Sequence, residues 1–305
     1  MTLIIILYAL FASSFSMGKI LLKYTNPIFL VGIRMFIGGL ILLAYQYISP
    51  RQSFYLKKKH IWLFVQIILF GVYFNYILRF WALNSLTSSK TCFIYNLAPF
   101  MSAIYSYYFF KEKITKGKLA GLIIGFFGMI PILLTSSSAE QSIGEFSFIS
   151  LPELAVIVSV ALHAYSWVVM RKLIRDKNYS PTLVNGFTMT AGGILALITS
   201  FAQGKFFPVT ETGPFFSWLA AVIIISNIIC FNLYGSLLKR YSATFLSFAG
   251  FLAPLFAALY GWGLLGEKIT WHFYASSVLV FVGLYLFYKE ETKEVDPNEL
   301  ELEEL

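Results

Sequence analysis

Long apolar runs follow one another along almost the whole chain, parted only by short polar or basic stretches. Each run is about 20 residues long, enough for a helix to cross the hydrocarbon of a bilayer. Nothing alternates at period two, and the interruptions are too short for a soluble arrangement of strands and helices. The pattern predicts about ten helices, at roughly 3–22, 27–48, 60–83, 87–110, 117–135, 153–172, 181–201, 215–238, 243–265 and 271–288. Pro27, Pro152, Pro181 and Pro214 fall at helix edges, where a missing backbone N–H costs nothing. The fold class expected is an all-α membrane protein.

The same stretch of pattern occurs twice. LAPFMSAIYSYYFFKEKIT, Leu97 to Thr115, returns 155 residues later as LAPLFAALYGWGLLGEKIT, Leu252 to Thr270, with nine of 19 positions identical. Gly128 and Gly283 extend the match at the same offset. A half-chain duplication in an apolar protein predicts two related bundles. The expected organisation is a first five-helix repeat over 1–135, a linker over 136–151, a second repeat over 152–288 and an acidic, disordered cytosolic tail over 289–305.

Charge then gives the duplication a direction. With the N-terminus in the cytosol, sixteen lysines and arginines fall on the inner loops and after the last helix, among them Lys57–Lys59, Lys111, Lys116, Arg171, Arg175, Lys239 and Arg240. Five fall outside: Lys19, Lys23, Lys90, Lys205 and Lys268. Positive charge collects on the cytoplasmic side, so both termini are expected there, in what would be a bacterial inner membrane. Five helices per repeat is an odd number, so the two repeats would cross the membrane in opposite senses. The net charge of +8 is thereby explained by topology, and a nucleic-acid partner is not expected.

Composition removes other classes. The chain is 58% hydrophobic and 12% charged, against about 25% charged in soluble globules. Its two cysteines, Cys92 and Cys230, sit inside apolar runs, so neither a disulfide framework nor a metal site is indicated. No nucleotide-binding motif is present, and no cofactor is expected. An enzyme would need a nucleophile with its base, or a metal triad, and the predicted interior offers one histidine and no acid.

A proline inside the helix, E-K-I-T at its end and a glycine-rich helix after it together resemble the EamA-type branch of the drug/metabolite transporter superfamily. Here these are Pro99, Glu112–Thr115, Gly121, Gly125 and Gly128, then Pro254, Glu267–Thr270 and Gly283, with Arg34 early in the second helix. The second half departs from symmetry, since Thr188 aligns with Arg34. The resemblance implies ten helices around a central cavity, alternating access, and movement of small organic solutes such as amino acids. Lipids would surround a monomer or a loose homodimer.

Polar groups in hydrocarbon are costly, so those within the spans are the candidates for substrate contact. Arg34 leads, because a guanidinium holds a carboxylate bidentately; bracing neighbouring carbonyls or snorkelling outward is the alternative. Arg79, near the outer end of its helix, suits a rim or anchor residue, and Asn75 one turn below shares its face. Ser85, Ser89, Cys92, Asn96 and Pro99 form one stripe, either a cavity wall or close helix packing, with Asn96 the member expected at substrate. Pro99 and Pro254 read as paired hinges or as plain kinks. His163, beside Ser159, Ser166 and Trp167, is either a buried donor or a proton switch. Asn185 and Asn227 are further cavity candidates.

Tyr73, Tyr95, Trp167 and Tyr234 could wall a flat or cationic solute. Together with Arg34 they would suit an amino acid or an amino-acid-derived zwitterion, S-adenosylmethionine-like compounds included. No acid lies mid-span, since Glu112 and Glu267 end helices and Glu153 begins one, so exchange or facilitated movement is expected over proton coupling. The competing functions are a lipid or polyprenol flippase, which needs a lateral opening, and a nucleotide-sugar or sugar-phosphate exchanger, which needs more buried cations.

Overall fold

Asn26 and Pro27 show how the apolar runs become helices. The Asn26 Oδ1 accepts from the Phe29 N–H at 2.9 Å, and Pro27 takes the first helical position, where no donor is lost. Ser180 and Pro181 repeat the device, with the Ser180 Oγ accepting from the Leu183 N–H. The computed structural model describes residues 2–48, 56–83, 94–112, 114–134, 151–253, 255–256, 259–260 and 271–293.

Among the described residues all regular structure is helical: α1 (Thr2–Leu21), α2 (Pro27–Ile48), α3 (Lys58–His60, Ile61–Gln66, Ile67–Phe74 and Asn75–Leu83 in one rod), α4 (Ala98–Phe110), α5 (Lys116–Leu134), α6 (Leu151–Arg171 continued by Lys172–Asp176), α7 (Pro181–Ala202), α8 (Thr212–Val222, Ile223–Cys230 and Phe231–Leu237), α9 (Ala243–Ala249) and α10 (Trp271–Lys293). Five of these, α2, α3, α6, α7 and α8, are long and apolar enough to cross a membrane by length and composition. Large apolar side chains such as Trp62, Phe127, Ile198 and Trp271 are exposed, which in water would be a large aggregation-prone surface and in lipid is an ordinary one.

Three differences from the expected spans matter. The helix expected over 87–110 is interrupted: Asn96 and Leu97 form a turn, and α4 starts afresh with Pro99 in its first turn. Pro99 is therefore the start of a segment, where it needs no hydrogen-bonded N–H, and not a mid-helix kink. The helix expected over 243–265 breaks at the matching place, with Gly250 and Phe251 in a turn and helix resuming at Leu252. There the Gly250 and Phe251 N–H groups bond three residues back, to Ser247 and Phe248. Third, α10 runs to Lys293, so the first residues of the expected disordered tail are helical. Pro254, Ser85, Ser89, Cys92 and linker residues 136–150 lie outside the described residues.

The closest helix pairs join equivalent members of the two repeats read from the sequence. α2 packs mainly on α7, and α5 on α10. Glycine sets both distances. A Cβ on Gly39 would lie 2.9 Å from the Gly186 carbonyl, and one on Gly193 would lie 2.5 Å from the Phe36 nitrogen. A Cβ on Gly121 would lie 2.7 Å from the Gly283 carbonyl, and the reverse contact is also 2.7 Å. Small residues let backbones approach, which is how helices associate where no hydrophobic drive exists between them. α4 crosses α9 through hydroxyls, with Ser102 Oγ 2.8 Å from Ser247 Oγ and the Thr244 hydroxyl donating to Ser106.

The centre of the bundle is apolar and aromatic, with Phe64, Trp167, Phe231, Tyr234, Phe248 and Phe251 in one contiguous cluster. Buried polar side chains interrupt it at a few levels only, and these levels define the candidate site.

Candidate substrate site

Two eight-residue stretches of π-helix, Ile67–Phe74 in α3 and Ile223–Cys230 in α8, lie in the third helix of each expected repeat. A π segment widens the turn and re-aims the side chains around it, and such segments gather at functional sites. Asn75 follows the first; Ser226 and Asn227 lie in the second.

Arg34 reaches from α2 to the second π segment. Its Nε donates to Asn227 Oδ1 at 2.7 Å and its Nη2 to Ser226 Oγ at 2.8 Å. Asn227 Nδ2 rests against the sulfurs of Met35 and Met189. Arg34 is 5% exposed and Asn227 is fully buried, so the guanidinium has turned inward and does not snorkel. Both its partners are neutral, and Arg34 has no ion pair among the described residues. Burying a cation without a counter-ion costs several kcal/mol, which is a cost a protein keeps only for a reason.

A second network joins α3, the Tyr95 segment and α6. Asn75 Oδ1 accepts from Tyr95 at 2.9 Å and from Ser159 at 2.7 Å, and its Nδ2 donates to the Gly71 carbonyl and lies 3.2 Å from His163 Nδ1. The indole N–H of Trp167 donates to His163 Nε2 at 3.0 Å. An indole nitrogen can only donate, so Nε2 is an acceptor and carries no proton. Adding a proton there would cost the Trp167 bond, so His163 is held as a structural acceptor. Trp167 in turn lies on Tyr234, ring centroids 3.9 Å apart at 35°, and against Phe231 at 5.7 Å.

Tyr76 connects the two networks. Arg34 Cζ lies 5.9 Å from its ring centroid and Arg79 Cζ 4.5 Å. Arg79 also stands over Phe80 at 5.1 Å and Tyr95 at 5.5 Å. Two cations, one aromatic wall and a set of neutral donors and acceptors therefore converge between α2, α3, α6 and α8. Asn96, next to Tyr95 in sequence, is 6% exposed, and its Nδ2 has no hydrogen-bond partner among the described residues.

The structure thus gathers Arg34, Asn75, Arg79, Tyr95, His163, Trp167 and Asn227 in one region, with the Asn96 side chain buried just after Tyr95. It places others elsewhere. Tyr73 bonds Thr199 of α7 through its hydroxyl at 2.6 Å, apart from both networks. Asn185 donates to the Phe231 carbonyl at 3.0 Å and to Asn232, bracing α7 to α8. Arg79, read from sequence as a rim residue, lies over three rings. Tyr76, Phe80 and Ser226 were not singled out by sequence. The signal for the first two was present as spacing, since Tyr76 is one turn before Arg79 and Phe80 is next to it.

The EamA-like transporter family matches residues 1–134 and 150–289. The chain belongs to that family. It is a membrane transporter and not an enzyme, and the family resemblance of the LAP–EKIT repeat is thereby explained. Among this EamA-like chain's relatives is a protein of Chlamydia muridarum, described as an S-adenosylmethionine/S-adenosylhomocysteine transporter. It is 35% identical over 289 residues, covering 93% of this chain and 90% of the relative. A protein of the same description from Chlamydia trachomatis serovar D is 35% identical over 93% of this chain and 88% of its own length. An uncharacterized transporter of Bacillus subtilis, YoaV, is 23% identical over 85% of this chain and 86% of its own. A crystal structure superposes with a TM-score of 0.75 over 97% of both chains at 18% identity, a likeness of fold alone.

Proposed function

We propose that this chain carries S-adenosylmethionine and S-adenosylhomocysteine across a bacterial plasma membrane by alternating access, exchanging one for the other. The observation that carries the reading is Arg34, a buried guanidinium with neutral partners only, placed beside an aromatic wall. Both solutes have an α-carboxylate to pair with a guanidinium and an adenine ring to lie against aromatic faces. Relatives of 35% identity carrying that description support the choice over free amino acids.

The rest of the mechanism follows from the chain's own layout. We take the ten spans as two inverted repeats with both termini cytoplasmic, as the distribution of lysine and arginine favours. Glycine-to-glycine packing of α2 on α7 and of α5 on α10 gives two stiff seams between the repeats. The broken helices at Asn96–Leu97 and Gly250–Phe251 give each repeat a point of bending, and we take Pro99 and, by the sequence repeat, Pro254 as the hinge residues. With both termini cytoplasmic, the α4–α9 hydroxyl contacts would fall toward the cytoplasmic side and serve as a gate there. With no carboxylate mid-span and His163 held by Trp167, movement is driven by the gradients of the two solutes and by the membrane potential, because each exchange moves one net positive charge.

Uptake of radiolabelled S-adenosylmethionine by bacteria expressing the chain tests this. Uptake should be saturable, and excess S-adenosylhomocysteine should suppress it while excess methionine should not. Uptake equal to that of vector-only cells would refute the reading.

A further inference from the structure

Resting on that reading, we propose that Tyr76, Phe80 and Tyr95 form the subsite for the substrate's sulfonium, and that Arg79 occupies it in the empty carrier. Three aromatic rings surround one cation here, with Arg79 Cζ 4.5, 5.1 and 5.5 Å from the centroids of Tyr76, Phe80 and Tyr95. Aromatic faces arranged this way attract any soft cation, and onium ions are the ligands such cages take. The rings are held by contacts besides those with Arg79. Tyr76 and Phe80 are buried and stack on each other with centroids 6.2 Å apart, and the Tyr95 hydroxyl is bonded to Asn75 and Ser159. The cage therefore keeps its shape when its occupant changes.

A sulfonium and a guanidinium cannot share this space, because like charges at contact repel strongly in a low dielectric. Binding the sulfonium requires Arg79 to leave the rings. Arg79 lies one turn from Leu83, the end of α3, and its long stem can carry the charge to the polar boundary. The neutral thioether of S-adenosylhomocysteine makes no such demand, so it binds with Arg79 still over the rings. The two exchanged solutes differ by one methyl cation, and the cage with its movable arginine is the element that reads that difference. Arg34, 5.9 Å from the Tyr76 ring centroid, is left for the carboxylate, which the two solutes share.

The test is the ratio of the two dissociation constants, measured on purified full-length protein in nanodiscs. Phe80→Leu removes one ring at similar volume and should weaken S-adenosylmethionine about tenfold, with S-adenosylhomocysteine changed by less than about twofold. Phe80→Tyr should leave the ratio as in wild type. Arg79→Gln removes the competing cation and should shift the ratio toward S-adenosylmethionine. Parallel loss of both ligands in Phe80→Leu, or in Arg79→Gln, overturns the proposal, and if Phe80→Leu does not fold, Arg79→Gln decides alone. A wild-type protein that binds neither solute refutes the transport reading itself. Binding of both with a ratio unmoved by either variant refutes the cage only.

Discussion

Replacing Arg34 with glutamine separates a substrate clamp from a structural brace. As a brace, the side chain contributes two charge-assisted hydrogen bonds, to Asn227 and Ser226. Each such bond is worth about 1.5–3 kcal/mol, so its loss would destabilise the empty protein by roughly 3 kcal/mol or more. As a clamp, Arg34 in the empty carrier is a 5%-exposed cation with no counter-ion among the described residues, and the desolvation cost offsets those bonds. Glutamine removes the charge and retains an amide that can reach the Asn227 carbonyl oxygen. The empty Arg34→Gln protein should then melt at or above the wild-type temperature. Binding should suffer instead, because truncating one partner of a buried, hydrogen-bonded charge pair costs about 2–5 kcal/mol. Arg34 already spends two nitrogens on the protein, so the lower half of that range applies. About 2–3 kcal/mol corresponds to roughly 30- to 150-fold in dissociation constant. Thermal unfolding of purified protein, with and without S-adenosylmethionine, reads both quantities in one titration. A fall in the melting temperature of the empty protein with unchanged affinity would refute the clamp.

Other consequences are narrower. Gly193→Val should prevent α2 and α7 from meeting, since even a Cβ at Gly193 lies 2.5 Å from the Phe36 nitrogen; yield of folded protein by size-exclusion chromatography should collapse, while Gly213→Ala, whose Cβ meets nothing within 4 Å, should be silent. Glu112→Gln should leave Arg171, which is 5% exposed, without its acidic partner and lower the melting temperature, with Arg171→Met in the same chain restoring part of the loss. If the double variant is no more stable than the single one, the pair is not coupled. Trp167→Leu should weaken both adenosyl solutes together, because it removes the stacked Trp167–Tyr234 pair and not a charge; equilibrium binding of each checks this. With the membrane potential clamped at zero, exchange in vesicles should be unchanged by an imposed pH gradient, because His163 Nε2 is held as an acceptor by Trp167.

How much of this was legible in the sequence depends on what hydropathy can register. The helix read as 27–48 is observed as Pro27–Ile48, because a capped proline begins it and an unbroken apolar run fills it. The breaks at Asn96–Leu97 and Gly250–Phe251 were read through as continuous spans, since residues on both sides are apolar and one Asn or one Gly does not interrupt a long apolar run. The π segments IILFGVYF and IIISNIIC were equally silent, their composition being that of ordinary helix.

The candidate site divides along the same line. Arg34, Asn75, His163 and Asn227 stood out because a polar group in hydrocarbon needs a reason. That signal marks cost and not purpose, which is why it also raised Asn185, here a brace between α7 and α8. The partnership of Arg34 with Asn227 spans 193 positions and has no local signature. Tyr76 and Phe80 were hidden in a chain that is 18% aromatic, where one ring looks like any other until a cation is found over it.

Counterflow in proteoliposomes is the direct test of the central claim. Vesicles containing the purified chain are loaded with millimolar unlabelled S-adenosylhomocysteine and diluted into trace radiolabelled S-adenosylmethionine. The account predicts transient accumulation of label above its external concentration, absent from vesicles loaded with buffer or methionine. Label that merely equilibrates, at the same rate whatever the vesicles contain, would contradict exchange of these two solutes through this protein.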